Sequence, residues 1–449
     1  MSNKVKKAFN LKSFIIANAL MLFGFFFGAG NLMFPPFFGG LGGSHWWIGA
    51  LGFVIGDIVL IVLGLYASTK FPKAEVIGVF YRNGRALEKI LAWLFIVGGA
   101  WLVVLPRCGY LFHTFITNEF FPGVSPWFTA IFYFGLSLIF ALNPNKVIDI
   151  VGKYLTPILV VCLIGLFVVG LSKGIASTPQ MIPDGDLFKN GLISGYMTID
   201  LMGATVTSVL VISVLSYNGV NDRKTQTSVI LKSALIAAVL LFIVYVGLTW
   251  LGSGFAANMA TTKEDQAAYL VAMIKQLFGS AGYVVMAVVL GFAVLTTSTA
   301  TIAGCGQLGH IASGKKLSHK LLCALAAIIA GCISVLGAGA LISFATMVVL
   351  AIYPAIVTNV ILTIFTKFIR NDNVYRGATI AALFFGLCIA LAQSYPTQFA
   401  FLSIFLKLPL VSVYLGWLIP TIIGGIIGAF VKYKGYENRP FLRENANQE

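Results

Sequence analysis

Long apolar runs fill this chain, and short polar stretches separate them. The runs are about 20 residues each, enough for a helix to cross about 30 Å of hydrocarbon. We read them as spans 1 to 12, at about 13–38, 46–69, 90–117, 126–142, 148–171, 190–217, 229–252, 281–306, 320–338, 341–368, 375–394 and 409–432. Two stretches between runs are mixed in character. Glu264–Gly279 is polar and apolar by turns, and Tyr395–Leu408 is aromatic and marked by proline, so both are expected to lie at the membrane surface. The pattern predicts an all-α polytopic membrane protein of about 12 transmembrane helices in a single domain.

Composition agrees. Of 449 residues 59% are hydrophobic and 10% charged, and the mean hydropathy is +0.93, which excludes a soluble domain of this length. The basic start Met1–Lys12 precedes an apolar run too long for a signal-peptide core, so a retained first span is expected. The net charge of +15 raises the question of nucleic acid. Its distribution answers against it, because the basic residues collect in alternate connections. With the N-terminus inside, the outer connections hold only Lys173, Lys189, Lys263, Lys275 and Lys407, Arg107 stands within a span, and the remaining Lys and Arg are cytoplasmic. That bias supports both the span count and cytoplasmic N- and C-termini.

Span 1 is interrupted. Gly28-Ala29-Gly30-Asn31-Leu32-Met33-Phe34-Pro35-Pro36 places two glycines and two prolines near its middle. Free backbone groups at membrane depth cost several kcal/mol each unless protein, water or a ligand takes them. The break reads as backbone facing something polar inside a protein-lined cavity; the alternative is a packing kink. Five spans is an odd number, so a second set of five beginning at span 6 enters from the opposite side, the inverted-repeat arrangement of many secondary transporters. The repeats would be 13–172 and 190–369, followed by spans 11–12 at 375–432 and a cytoplasmic tail at 433–449. Span 6 should then be broken too, and Ile199-Asp200-Leu201-Met202-Gly203 offers a carboxylate and a glycine at mid-span.

Two such breaks make a binding site. Half-helix N-termini suit a carboxylate, whereas half-helix C-termini and unwound carbonyls suit a cation or an ammonium group. A zwitterionic amino acid needs both, and Gly28 and Gly30 let it approach the backbone. In span 8, Thr296-Thr297-Ser298-Thr299 can supply oxygen ligands for sodium; the alternative is that these hydroxyls bond their own helix. Charges inside spans face cavities or partners. Arg107 could gate a vestibule, bind a carboxylate or cap span 3. Asp200 could bind the substrate ammonium, serve in coupling or pair structurally. Asp57 could carry a proton or an ion, with a structural role in span 2 preferred, and Asp149 is expected to be solvated. No Walker loop, zinc-protease motif or nucleophile elbow occurs, so neither an enzyme nor ATP-driven transport is expected. Cys108, Cys162, Cys305, Cys323, Cys332 and Cys388 include no C-x-x-C pair and fit small packing residues.

Phe26 to Pro36, followed by Gly39-Gly40-Leu41-Gly42, resembles the opening of the bacterial branched-chain amino acid carriers of system II, within the amino acid–polyamine–organocation superfamily. Leu105-Pro106-Arg107, Leu295-Thr296-Thr297 and the twelve-span layout extend the resemblance over essentially the whole chain. It implies a leucine-transporter-like 5+5 inverted repeat with broken helices 1 and 6 and two C-terminal helices. It implies that Gly24 and Phe27 offer carbonyls, and Thr296 and Thr297 hydroxyls, to sodium. Gly28, Ala29, Gly30 and Asn31 would line the substrate or second-ion region with Asp200, Leu201 and Met202. The expected function is a sodium-driven symporter that imports leucine, isoleucine and valine through the bacterial cell membrane. It needs no covalent cofactor, nucleic acid or obligate protein partner. Proton coupling through Asp200 or Asp57 is the alternative, and a channel or an amino acid sensor is a more distant one.

Overall fold

The computed structural model describes residues 10–70, 76–142, 156–257 and 265–432. The basic N-terminus, Asn143-Pro144, Asp149, Lys263 and the 433–449 tail lie outside the described residues. What is described is helical, with no strand apart from a single bridge residue. Span 1 is two helices, Leu11–Phe26 and Ala29–Gly42. Span 2 runs through Trp46–Val54, a wide turn at Ile55–Val59 and Leu60–Ser68; span 3 runs from Arg85 to Phe120 with two wide turns, Leu94–Val104 and His113–Thr117. Spans 4 and 5 include Pro126–Ala141 and Thr156–Ser172. Span 6 is again two helices, Asp184–Thr198 and Asp200–Tyr217, and span 7 is Arg223–Ser253. Gln266–Ala312 holds the expected surface helix and span 8, joined at Gly279, whose φ of 68° turns the chain between them. His319–Ser334, Ala338–Ile364, Asp372–Ser394 and Leu418–Phe430 are spans 9 to 12.

Two boundaries differ from the apolar pattern for local reasons. Span 12 begins at Leu418 rather than near 409, because Leu410 and Tyr414 adopt φ of 67° and 59° and hold the preceding stretch in short turns. The break in span 6 falls at Ile199, φ 63°, and not at Gly203. Gly203 lies inside the second helix, where a Cβ would come within 2.8 Å of the Phe25 ring, so it admits that ring instead of breaking the span.

The packing shows the repeat. Span 2 lies along both halves of span 6, and span 7 along both halves of span 1. Span 8 packs on span 4 and span 9 on span 3; span 5 meets span 8 and span 10 meets span 3. Each pair maps onto the other when spans 1–5 are exchanged for spans 6–10, as an inverted repeat requires. Both central crossings bring backbone against backbone, the close approach that small residues permit in membranes. A Cβ on Gly52 or Gly56 would strike the carbonyls of Phe188 or Leu192, and one on Gly39 or Gly252 those of Thr249 or Pro36. Gly252→Val should therefore separate spans 1 and 7, at a cost of about 1–3 kcal/mol or more. Thermal melting of the purified variant checks this, and an unchanged midpoint would contradict the close crossing.

Candidate functional site

The two breaks lie side by side in the centre of the bundle. The first helix of span 1 closes with the Phe27 N–H on the Phe23 carbonyl at 2.8 Å, and Gly28 is extended, φ −98° and ψ −170°. No side chain caps the helix that restarts at Ala29, so the first-turn N–H groups have no partner within their own helix. Pro35 and Pro36 lie inside that helix, which leaves the carbonyls of Asn31 and Leu32 without their helical donors. In span 6 the β-branched Ile199 sits in the left-handed region, a conformation that costs about 1–2 kcal/mol. The exposed ends of four half-helices thus meet where the chain is least regular.

A polar network ties these ends to spans 2 and 7. The Asn31 amide nitrogen donates to Asp200 Oδ2 at 2.7 Å, lies 3.3 Å from Asp57 Oδ2 and 2.6 Å from the Tyr245 hydroxyl. Thr198 Oγ1 lies 2.8 Å from Asp57 Oδ1 and 2.7 Å from the Gly195 carbonyl. Asn31, Asp57 and Tyr245 are buried and Asp200 is partly so. Arg107, from span 3, donates from Nη1 to the Met197 carbonyl at 2.8 Å and lies 5.0 Å over the Phe34 ring. It makes no ion pair with Asp200.

A small, mostly apolar pocket adjoins the break. Phe27 and Gly28 of span 1, Leu111 and Phe115 of span 3, and Leu290 and Val294 of span 8 line it. Ala293 also lines it, and one turn further along the helix come Thr296 and Thr297. Both hydroxyls donate to the Ala293 carbonyl, at 2.8 and 3.0 Å, as the self-bonded alternative for this tract supposes; their lone pairs stay available to a cation. Among the described residues no group of three or more His, Cys, Asp or Glu side chains could hold a metal ion.

Residues 11–434 match the family model described as branched-chain amino acid transport protein. The chain belongs to that family. It is 31% identical over 440 residues to the branched-chain amino acid permease BrnQ of Bacillus subtilis, covering 95% of this chain and 98% of that one. The BrnQ permease of Escherichia coli K12 is 28% identical over 425 residues, covering 91% and 93%. The fold resembles Mhp1, a nucleobase-cation-symport-1 family transporter, with a TM-score of 0.62 at 12% identity over 97% of this chain and 96% of that one. It also resembles a manganese transporter of Eremococcus coleocola, with a TM-score of 0.56 at 13% identity over 93% and 94%. This family member is therefore an integral membrane transport protein with the leucine-transporter type of inverted repeat, and not an enzyme.

Within this transport protein, the side chains singled out from sequence go to different places. Asn31, Asp200 and Asp57 converge, and Arg107 reaches the end of the first half of span 6. Leu201 is fully buried and faces span 2, where its side chain occupies the space beside Gly64. Met202 faces span 3 beside Gly99. Gly24 and Phe27 lie in the last turn before the span 1 break. Tyr245 and Thr198 join the network although neither is among the candidate residues of the sequence. Tyr245 is one hydroxyl in an otherwise apolar stretch of span 7, and Thr198 directly precedes the break; those are the signals that could have found them.

Proposed function

We propose that this protein is a secondary symporter that carries leucine, isoleucine and valine inward, driven by a sodium gradient. The observation that carries the substrate reading is the apolar pocket lined by Phe27, Gly28 and Leu32 of span 1, next to the uncapped first turn at Ala29–Asn31, whose Asn31 side chain reaches Asp200. The helix N-terminus suits the carboxylate, and Asp200 with the carbonyls ending the first half of span 6 suits the ammonium group. A branched aliphatic side chain then fills the pocket between spans 1, 3 and 8. One methylene is worth about 1–3 kcal/mol in such a pocket, so valine and leucine should compete.

Sodium would lie between Gly24 and Phe27 of span 1 and Thr296 and Thr297 of span 8, and would stabilise the state that admits substrate. The charge bias supports cytoplasmic termini in a bacterial cell, and we take 13–172 and 190–369 as the repeats. A second reading, proton coupling, has its own support: Asp57 and Asp200 both approach one amide nitrogen. Two carboxylates so close call for a compensating positive charge, which a proton can supply as well as a metal ion.

Leucine uptake into proteoliposomes, under an inward sodium gradient and then an equal inward proton gradient, separates the readings. Concentrative uptake with sodium alone, lost in Thr296→Ala/Thr297→Ala, is the expected result. Uptake driven by protons alone, intact in that variant and without pH dependence in Asp200→Asn, would overturn sodium coupling. No leucine uptake under either gradient would remove the substrate assignment.

A further inference from the structure

We propose that Arg107 grips the carboxylate of the substrate, together with the free N–H groups that open the second half of span 1. The inference deepens the amino acid transport reading and rests on it. A guanidinium carries five N–H donors. Arg107 is only 6% exposed, and Nη1 donates to the Met197 carbonyl at 2.8 Å. The other donors have no acceptor among the described residues. Those donors are not sealed away from accessible space, so an acceptor can reach them.

The surroundings point those donors towards an anion. Arg107 Nη1 lies 3.0 Å from where a Cβ on Gly30 would stand, so this glycine opens the space that the guanidinium enters. Gly30 is in the first turn of the Ala29–Gly42 helix, whose uncapped N–H groups and partial positive charge also favour an anion. The Phe34 ring, 5.0 Å from Cζ, fixes the guanidinium from one side. A carboxylate between Arg107 and the helix start would accept from both, in the two-pronged geometry that guanidinium groups favour.

The register fits an amino acid. Leu111 follows Arg107 by one helical turn, about 6 Å along span 3 on the same face, and lines the apolar pocket. A carboxylate held at Arg107 thus leaves the aliphatic side chain level with Leu111. Asp200, across the break in span 6, remains for the ammonium group. The recognised ligand class is an α-amino acid with a free carboxylate, and this contact disfavours amides or amines of the same skeleton.

The test is equilibrium binding of leucine, L-leucinamide and isoamylamine to the purified full-length protein in lipid nanodiscs. The unmodified protein should prefer leucine strongly. Arg107→Gln should weaken leucine binding by about 100-fold, in the range seen when one partner of a buried charged hydrogen bond is removed. It should change leucinamide binding by only a few-fold, so the preference collapses. A cooperative Arg107→Gln melt with an unchanged preference for leucine would overturn the inference alone. If that variant fails to melt cooperatively, Arg107→Lys decides, because it keeps the charge and loses the fork. A tenfold or greater loss of leucine affinity with a narrowed preference supports the clamp, and unchanged binding overturns it. No leucine binding by the unmodified protein would overturn the substrate reading and the inference with it.

Discussion

An Asn31→Leu variant is expected to lose leucine uptake by about 100-fold or more and to melt well below the unmodified protein, because a buried acceptor left without its donor costs about 1–3 kcal/mol, and more when it is charged. Asn31 is where four spans meet. Its amide nitrogen lies 2.7 Å from Asp200, 3.3 Å from Asp57 and 2.6 Å from the Tyr245 hydroxyl. Leucine keeps the branching at Cγ but has no donor, so the carboxylates of Asp57 and Asp200 would face an apolar group. The loss of stability and the loss of transport are separable. Adding Asp200→Asn to Asn31→Leu removes one of the stranded charges, so the melting midpoint should partly recover. Uptake should not, since the group proposed for the substrate ammonium is then gone. Full recovery of uptake in the double variant would show that the network serves only stability.

The second large effect lies away from the site. Arg82→Ala should destabilise the protein by about 3–5 kcal/mol, and Asp372→Ala by a similar amount, because each removes the ion-pair partner of a charge that stays buried. Arg82 Nε is 2.8 Å from Asp372 Oδ1, and both side chains are 1% exposed. The remaining guanidinium nitrogens reach Thr366 Oγ1 at 3.0 Å and the Arg370 carbonyl at 3.3 Å, and the Tyr375 ring lies 4.3 Å from Cζ. Next to it, Asn83 donates to Asn359 at 2.6 Å, and Arg376 to the Asn83 carbonyl at 3.0 Å. This cluster fastens the connection between spans 2 and 3 to spans 10 and 11. The double variant Arg82→Met/Asp372→Leu should be markedly more stable than either single one, because both charges leave together. Melting of the four proteins in one detergent measures the coupling. Additive losses would mean that the pair does not act as a unit.

That pair leaves no local trace in the chain. In the sequence Arg82 is one more positive charge in a connection, indistinguishable from Lys89 or Lys316. Nothing local marks it as buried, because its partner is Asp372, far along the chain. The same holds for Asn31, one of two amides with Asn18 in the first apolar run, until spans 2, 6 and 7 fold around it. Asp57 fitted a structural residue of span 2, and the fold brings it to the amide that Asp200 also uses. The resemblance groups Leu201 and Met202 with Asp200 as substrate residues; in the fold Leu201 lies beside Gly64 of span 2 and Met202 beside Gly99 of span 3.

Properties set over short stretches were legible. Runs long enough to cross hydrocarbon are visible residue by residue, because lipid admits few exceptions to that length and polarity. The break at Gly28 was equally plain, since glycine and proline act on their own backbone. The break in span 6 was legible to within a few residues; its position at Ile199 was not, because a left-handed β-branched residue is held there by its surroundings and not by its own preference. Which side chains meet depends on how each helix is rotated about its axis and where it crosses its neighbours. Those angles come from packing between spans far apart in the chain, such as Gly252 against Pro36, and so the network at Asn31, the seat of Arg107 and the Arg82–Asp372 pair emerge only once the spans are assembled.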